Sequence, residues 1–495
     1  MFLGIDVGTQ SVKALLYDAD RRLVVDIRSA PLELISEADG TREQMSSWWL
    51  AALSQCLAGF NKADKARIQA IGVSAQQHGF VPLAADDQVL TPVKLWCDTA
   101  TVPECEQITA NFGGRERCIM EVGNPILPGY TASKIRWLRN HRPTEYARLA
   151  TILLPHDYIN FHLTGERVME YGDASGTAML DIRQRKWHAA LLAAVDQDRD
   201  LSRALPPLVE PGSAIGQLRV DVASELGLPS GIPVASGGGD NMMAAIGTGN
   251  VSAGRMTVSL GTSGTLFASA DKPIVDSKGA LAAFCSSTGN WLPLLCTMNC
   301  TVATELTRRL FSMDISEMDR RVGAVPPGAH GVMTLPFFNG ERTPNLPGGK
   351  GCIFGLDDGN YSQDNLLRSA MEAAVYGLRT GLDALREQGC DVASVRLTGG
   401  GAGSAVWRQM VADIFNLPVT VQDVDEGAAF GAALQALWMY QRERGMDVPL
   451  QTLVDTHLAP DPARACEPKK QSVADYVEHY REYLRHVETI KAFYT

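Results

Sequence analysis

What this sequence lacks narrows its function first. It has no excess of positive charge: 45 Lys and Arg against 56 Asp and Glu leave a formal net charge of -11. Nucleic acid and anionic membrane surfaces are therefore poor partners, and an anionic ligand would need backbone N–H groups, Lys, Arg or a metal ion close by. No apolar run approaches the length that spans a bilayer. No basic leader or cleavage site accompanies the apolar start Phe2-Leu3-Gly4-Ile5, so no signal peptide is expected. The ten cysteines lie scattered from Cys56 to Cys466 without a C-x-x-C pair, which points away from zinc and from a disulfide framework. A reducing cytoplasm fits that usage. The G-x-x-x-x-G-K-[ST] phosphate loop, the G-x-S-x-G elbow and the H-E-x-x-H metal motif are all missing. The run Gly399-Gly400-Gly401-Ala402-Gly403-Ser404 has Ser where a dinucleotide fingerprint needs its last Gly or Ala.

What is present has the composition of an ordinary soluble globular protein. At 495 residues, 45% apolar and 20% charged, the chain is too long for one core, and two large domains are expected. The most informative stretch is Val234-Ala235-Ser236-Gly237-Gly238-Gly239-Asp240-Asn241. The apolar run 232–235 reads as a short buried strand, and Met242-Met243-Ala244-Ala245-Ile246 as the start of a buried helix. Three glycines between them let a ligand approach the backbone N–H groups. Asp240 thus stands where a strand gives way to a helix, at the end of the sheet where α/β proteins bind ligands. Locally, it can be a helix cap or a base that activates a hydroxyl, and both readings stand.

Taken in order, the chain opens with strands at 2–7, 12–18 and 23–25, a meander whose first tip carries Gly8, Thr9, Gln10 and Ser11. Such a tip offers N–H and hydroxyl groups to a phosphate, or is a plain hairpin. Residues 46–58 read as a helix packed through Trp48, Trp49, Leu50 and Leu53. A strand at 68–74 ends in Gln76-Gln77-His78-Gly79, polar residues that suit a ligand site, although a lone His is more often structural. Another strand ends at Asp98, a helix carries Lys134 to Leu138, and a strand follows at 151–154. Asp157-Tyr158 and residues 173–177 read as polar punctuation.

The opening pattern then returns. Strand 255–260 meets the tip Gly261-Thr262-Ser263-Gly264, and a second strand follows at 266–268. This weak repeat of Gly8-Thr9 points to two related lobes. Strand 395–398 runs into Gly399-Gly400-Gly401, then a helix from 406 to 415, a ready anion site. Residues 426–433 read as a small-residue helix suited to close packing, and 473–494 as an amphipathic closing helix. Two phosphate-cradling hairpins, two glycine-rich turns and the strand-end carboxylates Asp6 and Asp240, able to hold Mg²⁺, add up to a phosphoryl-transfer site between lobes.

With these segments assembled, the chain resembles the FGGY family of carbohydrate kinases over nearly its whole length, and within it the members that phosphorylate D-xylulose. Gly4-Ile5-Asp6-Val7-Gly8-Thr9, Leu260-Gly261-Thr262-Ser263-Gly264 and Gly399-Gly400-Gly401-Ala402 look like that family's nucleotide-site segments. Gly129-Tyr130-Thr131-Ala132-Ser133-Lys134-Ile135-Arg136-Trp137-Leu138 matches its first signature, and Gly351-Cys352-Ile353-Phe354-Gly355-Leu356 continuing to Glu372 its second. Residues 340–344 and 124–128 also fit. Two segments depart from the usual pattern near the sugar: Gln77 stands where Met is common, and Thr99-Ala100-Thr101 where an Arg is common.

The resemblance implies an α/β fold of two actin-like, ribonuclease-H-like lobes with a catalytic cleft between them. The first lobe, 1–246, would bind the sugar and hold the catalytic residues; the second, 247–495, would bind the nucleotide and end in the 473–494 helix. ATP and Mg²⁺ are the implied cofactors. Asp240 becomes the catalytic base and Asp6 its acidic partner, both near the metal. Gln77, His78, Asp240 and Asn241 are the implied sugar ligands. Gly8, Thr9, Gln10, Ser11, Lys13, Gly261, Thr262, Gly400, Gly401 and Ala405 are the implied nucleotide ligands. The expected reaction converts D-xylulose to D-xylulose 5-phosphate. The alternatives are a kinase of ribulose, a deoxy-sugar or glycerol, and, from another class, an actin-like ATPase serving as a scaffold or regulator. The partner is a small sugar, neither nucleic acid nor membrane, and a homodimer is compatible because dimers are common among relatives.

Overall fold

The computed structural model describes residues 1–422 and 426–494. The chain forms two compact units: Met1–Val251, Ala270–Leu292 and Glu426–Leu458 make the first, and Ser252–Ser269, Pro293–Asp425 and Ala459–Thr495 the second.

The first unit is built on a mixed sheet. Strands β1 (Phe2–Val7), β2 (Ser11–Asp18) and β3 (Leu23–Pro31) form the antiparallel meander expected from the sequence. β3 runs beyond its apolar start to Pro31, because it is the edge strand and needs only β2 as backbone partner, so its outer residues stay polar. Strand β4 (Ala70–Ala75) lies parallel to β1. With β5 (Ala214–Gln217) and β6 (Pro233–Ala235) the order is β5-β6-β4-β1-β2-β3, and the short β7 (Gly238–Gly239) also pairs with β4. Helix α1 (Ser46–Ala58) buries Trp49 and Leu53 against this sheet's core. Helices α2 (Thr131–His141) and α3 (Pro155–Thr164) frame the site described below, with α4 (Asp240–Gly247) following directly on β7. Asp157 therefore lies inside a helix, where Ile159 and Leu163 supply the buried face that short-range polarity hid.

Helix α5 (Gly427–Arg442) is the small-residue segment, and small residues are what its position demands. A Cβ on Gly4 of β1 would stand 1.9 Å from the Ala429 carbonyl oxygen, one on Gly72 of β4 2.0 Å from that of Ala432, and one on Gly431 1.8 Å from that of Met243. Backbone thus meets backbone on two sides of α5, against the sheet and against α4.

The second unit repeats the plan. Strands β8 (Gly254–Leu260), β9 (Gly264–Ala268) and β10 (Leu294–Thr297) form an antiparallel meander, and β11 (Val392–Thr398) and β12 (Val419–Val421) continue parallel to β8. The order β10-β9-β8-β11-β12 matches β3-β2-β1-β4-β6 of the first unit. This is the ribonuclease-H-like α/β order that the family resemblance implies, present twice, in line with the repeat of the Gly-Thr tips. A closing helix spans Lys470–Lys491 and buries Tyr476, Tyr480 and Tyr483. Among the described residues no helix is long and apolar enough to cross a membrane.

Candidate active site

The pairing of strand ends assembles the first unit's carboxylates. β4 sets Ser74 opposite Asp6 of β1 and opposite Gly238 of β7. Ser74 Oγ donates to Asp6 Oδ1 at 2.7 Å. Asp240 is the first residue of α4, and the N-cap position belongs to Gly239. Asp240 Oδ1 accepts from the Asn241 backbone N–H at 2.7 Å and from Asn241 Nδ2 at 3.0 Å. Burial pushes the Asp240 carboxyl up to about 8, repulsion from Asp6 and Asp173 adds to this, and the Asn241 hydrogen bonds work against it. Burial also raises Asp6 to about 6, opposed by Ser74 and Lys13. Lys13 stands opposite Asp6 on β2, and its ammonium pairs with Glu426 just before α5.

The approach to Asp240 is fixed by α5. Gly237 has φ 71, a left-handed conformation that suits glycine, and a Cβ there would meet the Val73 carbonyl oxygen at 2.5 Å. The buried Gln435 amide clamps this residue from both sides: Oε1 accepts from Gly237 N–H at 2.9 Å, and Nε2 donates to its carbonyl at 3.2 Å.

Gln77 and His78 follow β4 and are buried. Gln77 Oε1 accepts from Asn241 Nδ2 at 2.8 Å, and Gln77 Nε2 contacts Met242 Sδ at 3.1 Å. His78 adopts a left-handed backbone, φ 64. Its carbonyl accepts from Thr131 Oγ1 at 3.1 Å and from Lys134 Nζ at 2.7 Å; the same ammonium reaches Gly129 O at 2.7 Å. Lys134 is fully buried, and burial pulls it down to about 7. The His78 ring lies edge-on to Tyr130 and tilted on Phe284, and a Cβ on Gly176 would fall 2.0 Å from it.

Behind His78 lies a charged cluster that sequence reasoning left as punctuation. Asp173 Oδ1 is 3.7 Å from His78 Nδ1, and Asp173 Oδ2 is 3.1 Å from His156 Nδ1. His156 Nε2 is 2.8 Å from Asp157. Burial alone would discharge the His156 ring, yet the two carboxylates beside it raise it to about 10. Glu170 accepts from Gly172 N–H at 2.7 Å and Ser287 Oγ at 2.9 Å, and burial raises it to about 7. The one available signal was the crowding of Asp and His within 156–173, which nothing local connected to His78.

The tip of the first hairpin is firmly tied. Gly8 N–H donates to Ser11 O at 3.0 Å, and Gln10 O accepts from Leu32 N–H at 2.9 Å. The Thr9 hydroxyl donates to Gln76 Oε1 at 3.0 Å and accepts from Trp96 Nε1 at 2.9 Å. Thr9's side chain therefore shapes the tip from within.

In the second unit, the nucleotide-type segments come together. The Gly261-Thr262 tip is tied by Thr301 N–H to Gly261 O at 3.0 Å and by Cys300 N–H to Thr262 O at 3.1 Å. Gly399 has φ 84, and a Cβ there would lie 2.8 Å from Leu260 O; one on Gly401 would lie 2.7 Å from Leu260 Cβ. The glycine turn is thus pressed onto the strand that leads to the tip. Gly400 and Gly403, by contrast, face open space. Ser404 then caps the helix Ala405–Phe415 by accepting from Trp407 N–H at 3.1 Å.

Comparison with known proteins reads these features in one way. The model of the FGGY carbohydrate kinase N-terminal domain matches residues 1–247, and that of the C-terminal domain matches residues 256–440. A xylulose kinase from Haemophilus influenzae is 40% identical over 99% of this chain and 100% of its own length. The chain belongs to the FGGY family of carbohydrate kinases. An Escherichia coli xylulose kinase is 33% identical over 95% of this chain and 97% of its own. Among solved structures, the Bifidobacterium adolescentis xylulose kinase superposes with a TM-score of 0.82 at 28% identity, covering 96% and 98% of the two chains. A Plasmodium falciparum glycerol kinase solved with ADP shares the fold, with a TM-score of 0.87 at 18% identity over 98% and 97%. In this FGGY kinase Asp6, Asp240 and the Gly8-Thr9 tip lie within the range matched by the N-terminal domain model, and the Gly261-Thr262 tip and Gly399-Gly400-Gly401 within that matched by the C-terminal one.

Proposed function

We propose that this kinase transfers the γ-phosphoryl group of ATP to D-xylulose, giving D-xylulose 5-phosphate and ADP, with Asp240 as the general base. One observation carries the assignment: a carboxylate with raised proton affinity opens a helix at a strand end, beside a second carboxylate, Asp6. Raised affinity is what a base needs to take a proton from an alcohol at neutral pH. The curated relatives named above, covering nearly all of this chain, support the ketose as the acceptor.

The proton of the attacking hydroxyl goes to Asp240, the new bond forms from that oxygen to the γ-phosphorus, and the bond to the β–γ bridging oxygen breaks. Asn241 holds Asp240 Oδ1 through two donors, which leaves Oδ2 to take the incoming proton. His78 offers its ring beside Tyr130 and Phe284 to the sugar. In the first unit the Thr9 and Gln10 backbone would offer N–H groups to phosphate oxygens, the Gly8 N–H being held by Ser11 O; in the second unit the backbone of Gly261, Thr262, Gly400, Gly401 and Ala405 would do so. Gly400 supports this use because its surroundings are open.

Mg²⁺ fits the donor set. Among the described residues no cluster of three or more His, Cys, Asp or Glu could cage a metal, whereas the Asp6–Asp240 repulsion invites a hard cation that keeps its other ligands as water and phosphate oxygen. Bound there, Mg²⁺ would supply positive charge to the phosphates and relieve the repulsion between the two carboxylates.

The test is Asp240→Asn assayed by coupled ADP release across a panel of pentuloses and polyols. General-base loss should reduce kcat by about 10²–10⁴-fold while sugar binding persists. Turnover within a few-fold of the parent would remove Asp240 as base. A wild-type preference for ribulose or glycerol would move the substrate without touching the base.

A further inference from the structure

The observation to explain is where the Gln77 side chain is spent. A ketose ligand needs hydrogen-bonding atoms directed at the sugar. Gln77 instead gives its carbonyl oxygen to Asn241 Nδ2 at 2.8 Å and its amide nitrogen to Met242 Sδ at 3.1 Å. It is buried, and its Cγ lies so close to the chain at Gly239 that a Cβ there would stand 2.6 Å away.

The hydrogen bonds run in one direction. Asp240 Oδ1 already accepts from the Asn241 backbone N–H, so it is the accepting oxygen of the carboxyl, and the nitrogen end of the Asn241 amide faces it. That contact, at 3.0 Å to Oδ1, uses one amide hydrogen. The second hydrogen goes to Gln77 Oε1, a buried side chain facing the half-buried Asn241. Gln77 therefore decides which way the Asn241 amide is flipped. With both hydrogens used, Asn241 Oδ1 is what remains to accept from a sugar hydroxyl.

We propose that Gln77 is a positioning residue: through Asn241 it holds the orientation of Asp240 and of the Asn241 acceptor, and it does not itself bind the ketose. The proposal rests on Asp240 being the base. It reassigns Gln77 from the sugar contact that the sequence pattern implied, and it gives the glutamine at this position, where the family commonly has methionine, a role of its own. Methionine cannot accept from Asn241 Nδ2 with comparable strength, so a chain carrying it must hold the amide by other means.

The experiment is a double-mutant cycle on the full chain, read as kcat and as the sugar KM. Gln77→Met should lower kcat by about tenfold, the scale of one lost hydrogen bond in a charged network, and leave the sugar KM within about threefold. Gln77→Glu keeps the acceptor for Asn241 and should restore the Asn241 orientation, so its kcat should exceed that of Gln77→Met. In an Asn241→Ala background, Gln77→Met should cost almost nothing more, because the link is already cut. Three results overturn the proposal: a sugar KM that rises about tenfold with kcat unchanged, multiplicative losses in the double variant, or Gln77→Glu no better than Gln77→Met. Thermal unfolding of each variant separates a misfolded protein from a misaligned one, and a cycle run with Gln77→Leu replaces any Gln77→Met that fails to fold. Failure of the base reading is seen separately, as an active Asp240→Asn enzyme.

Discussion

Asp240→Asn should make the metal-free protein more stable at high pH while it lowers turnover by orders of magnitude. The side chain keeps its size, and its carbonyl oxygen can still accept from both Asn241 donors. What disappears is the charge. The native carboxyl is held up to about 8 from an ordinary 3.8 by burial and by Asp6 and Asp173. A folded-state value above the unfolded one means that the folded protein binds the proton more tightly. Ionisation therefore opposes folding: the penalty is absent below pH about 4, grows between about 4 and 8, and is complete above. Four units would correspond to roughly 5 kcal/mol if taken whole, but the group is partly open to water, so a gain on the order of 2–3 kcal/mol is the expectation at pH 8.5. Urea unfolding in EDTA at pH 4.5 and pH 8.5 measures it. The variant should match the parent at the lower pH and exceed it at the higher. Equal differences at both, or a variant weaker at pH 8.5, would refute the charge-burial argument. A gain of this kind in a dead enzyme is the signature of an active site that carries strain for its function.

Other outcomes follow from single contacts. Lys134→Met removes the ammonium that holds the His78 and Gly129 carbonyls, and should cost about 3 kcal/mol of stability and raise the sugar KM more than the ATP KM; parallel kinetics would detect an equal loss for both substrates, which would remove the link to His78. Gly431→Ala, which would put a methyl 1.8 Å from the Met243 carbonyl oxygen, should destabilise by about 3 kcal/mol or more in urea unfolding. Gly400→Ala meets no neighbour within 4 Å, so thermal unfolding should barely change, whereas the ATP KM should rise by about tenfold if phosphate approaches that backbone.

Much of the architecture was legible because it is written locally. The hairpin tips at Gly8 and Gly261 and the strand-to-helix turn at Gly237–Asp240 each combine a short strand-like run with glycine, and each falls where the chain pattern puts it. The pieces that hold the site were harder to see, because they act over long sequence distances. Gln435 reaches back to Gly237, Lys134 to His78, and Asp173 to both His156 and His78. Polar residues of that kind carry no period, and only the folded chain shows which group each one meets. The direction of the Gln77 amide was illegible for the same reason, since its partner lies 164 positions away.

The placement of α5 has a consequence for how the protein is made. The helix that lies against Gly4, Gly72 and Gly247 comes from Gly427–Arg442, late in translation. Until it emerges, the sheet and α4 present bare, glycine-lined surfaces shaped for a helix that does not yet exist, and the Gly237 turn lacks the Gln435 clamp. Folding of the first unit therefore cannot finish while its own first 251 residues are leaving the ribosome; it must wait through the synthesis of most of the second. A nascent chain arrested before residue 427 should consequently hold its Asp240 loop loosely and depend on chaperones, and competence to bind sugar should arrive late and abruptly, with the last strand of sequence that unit needs.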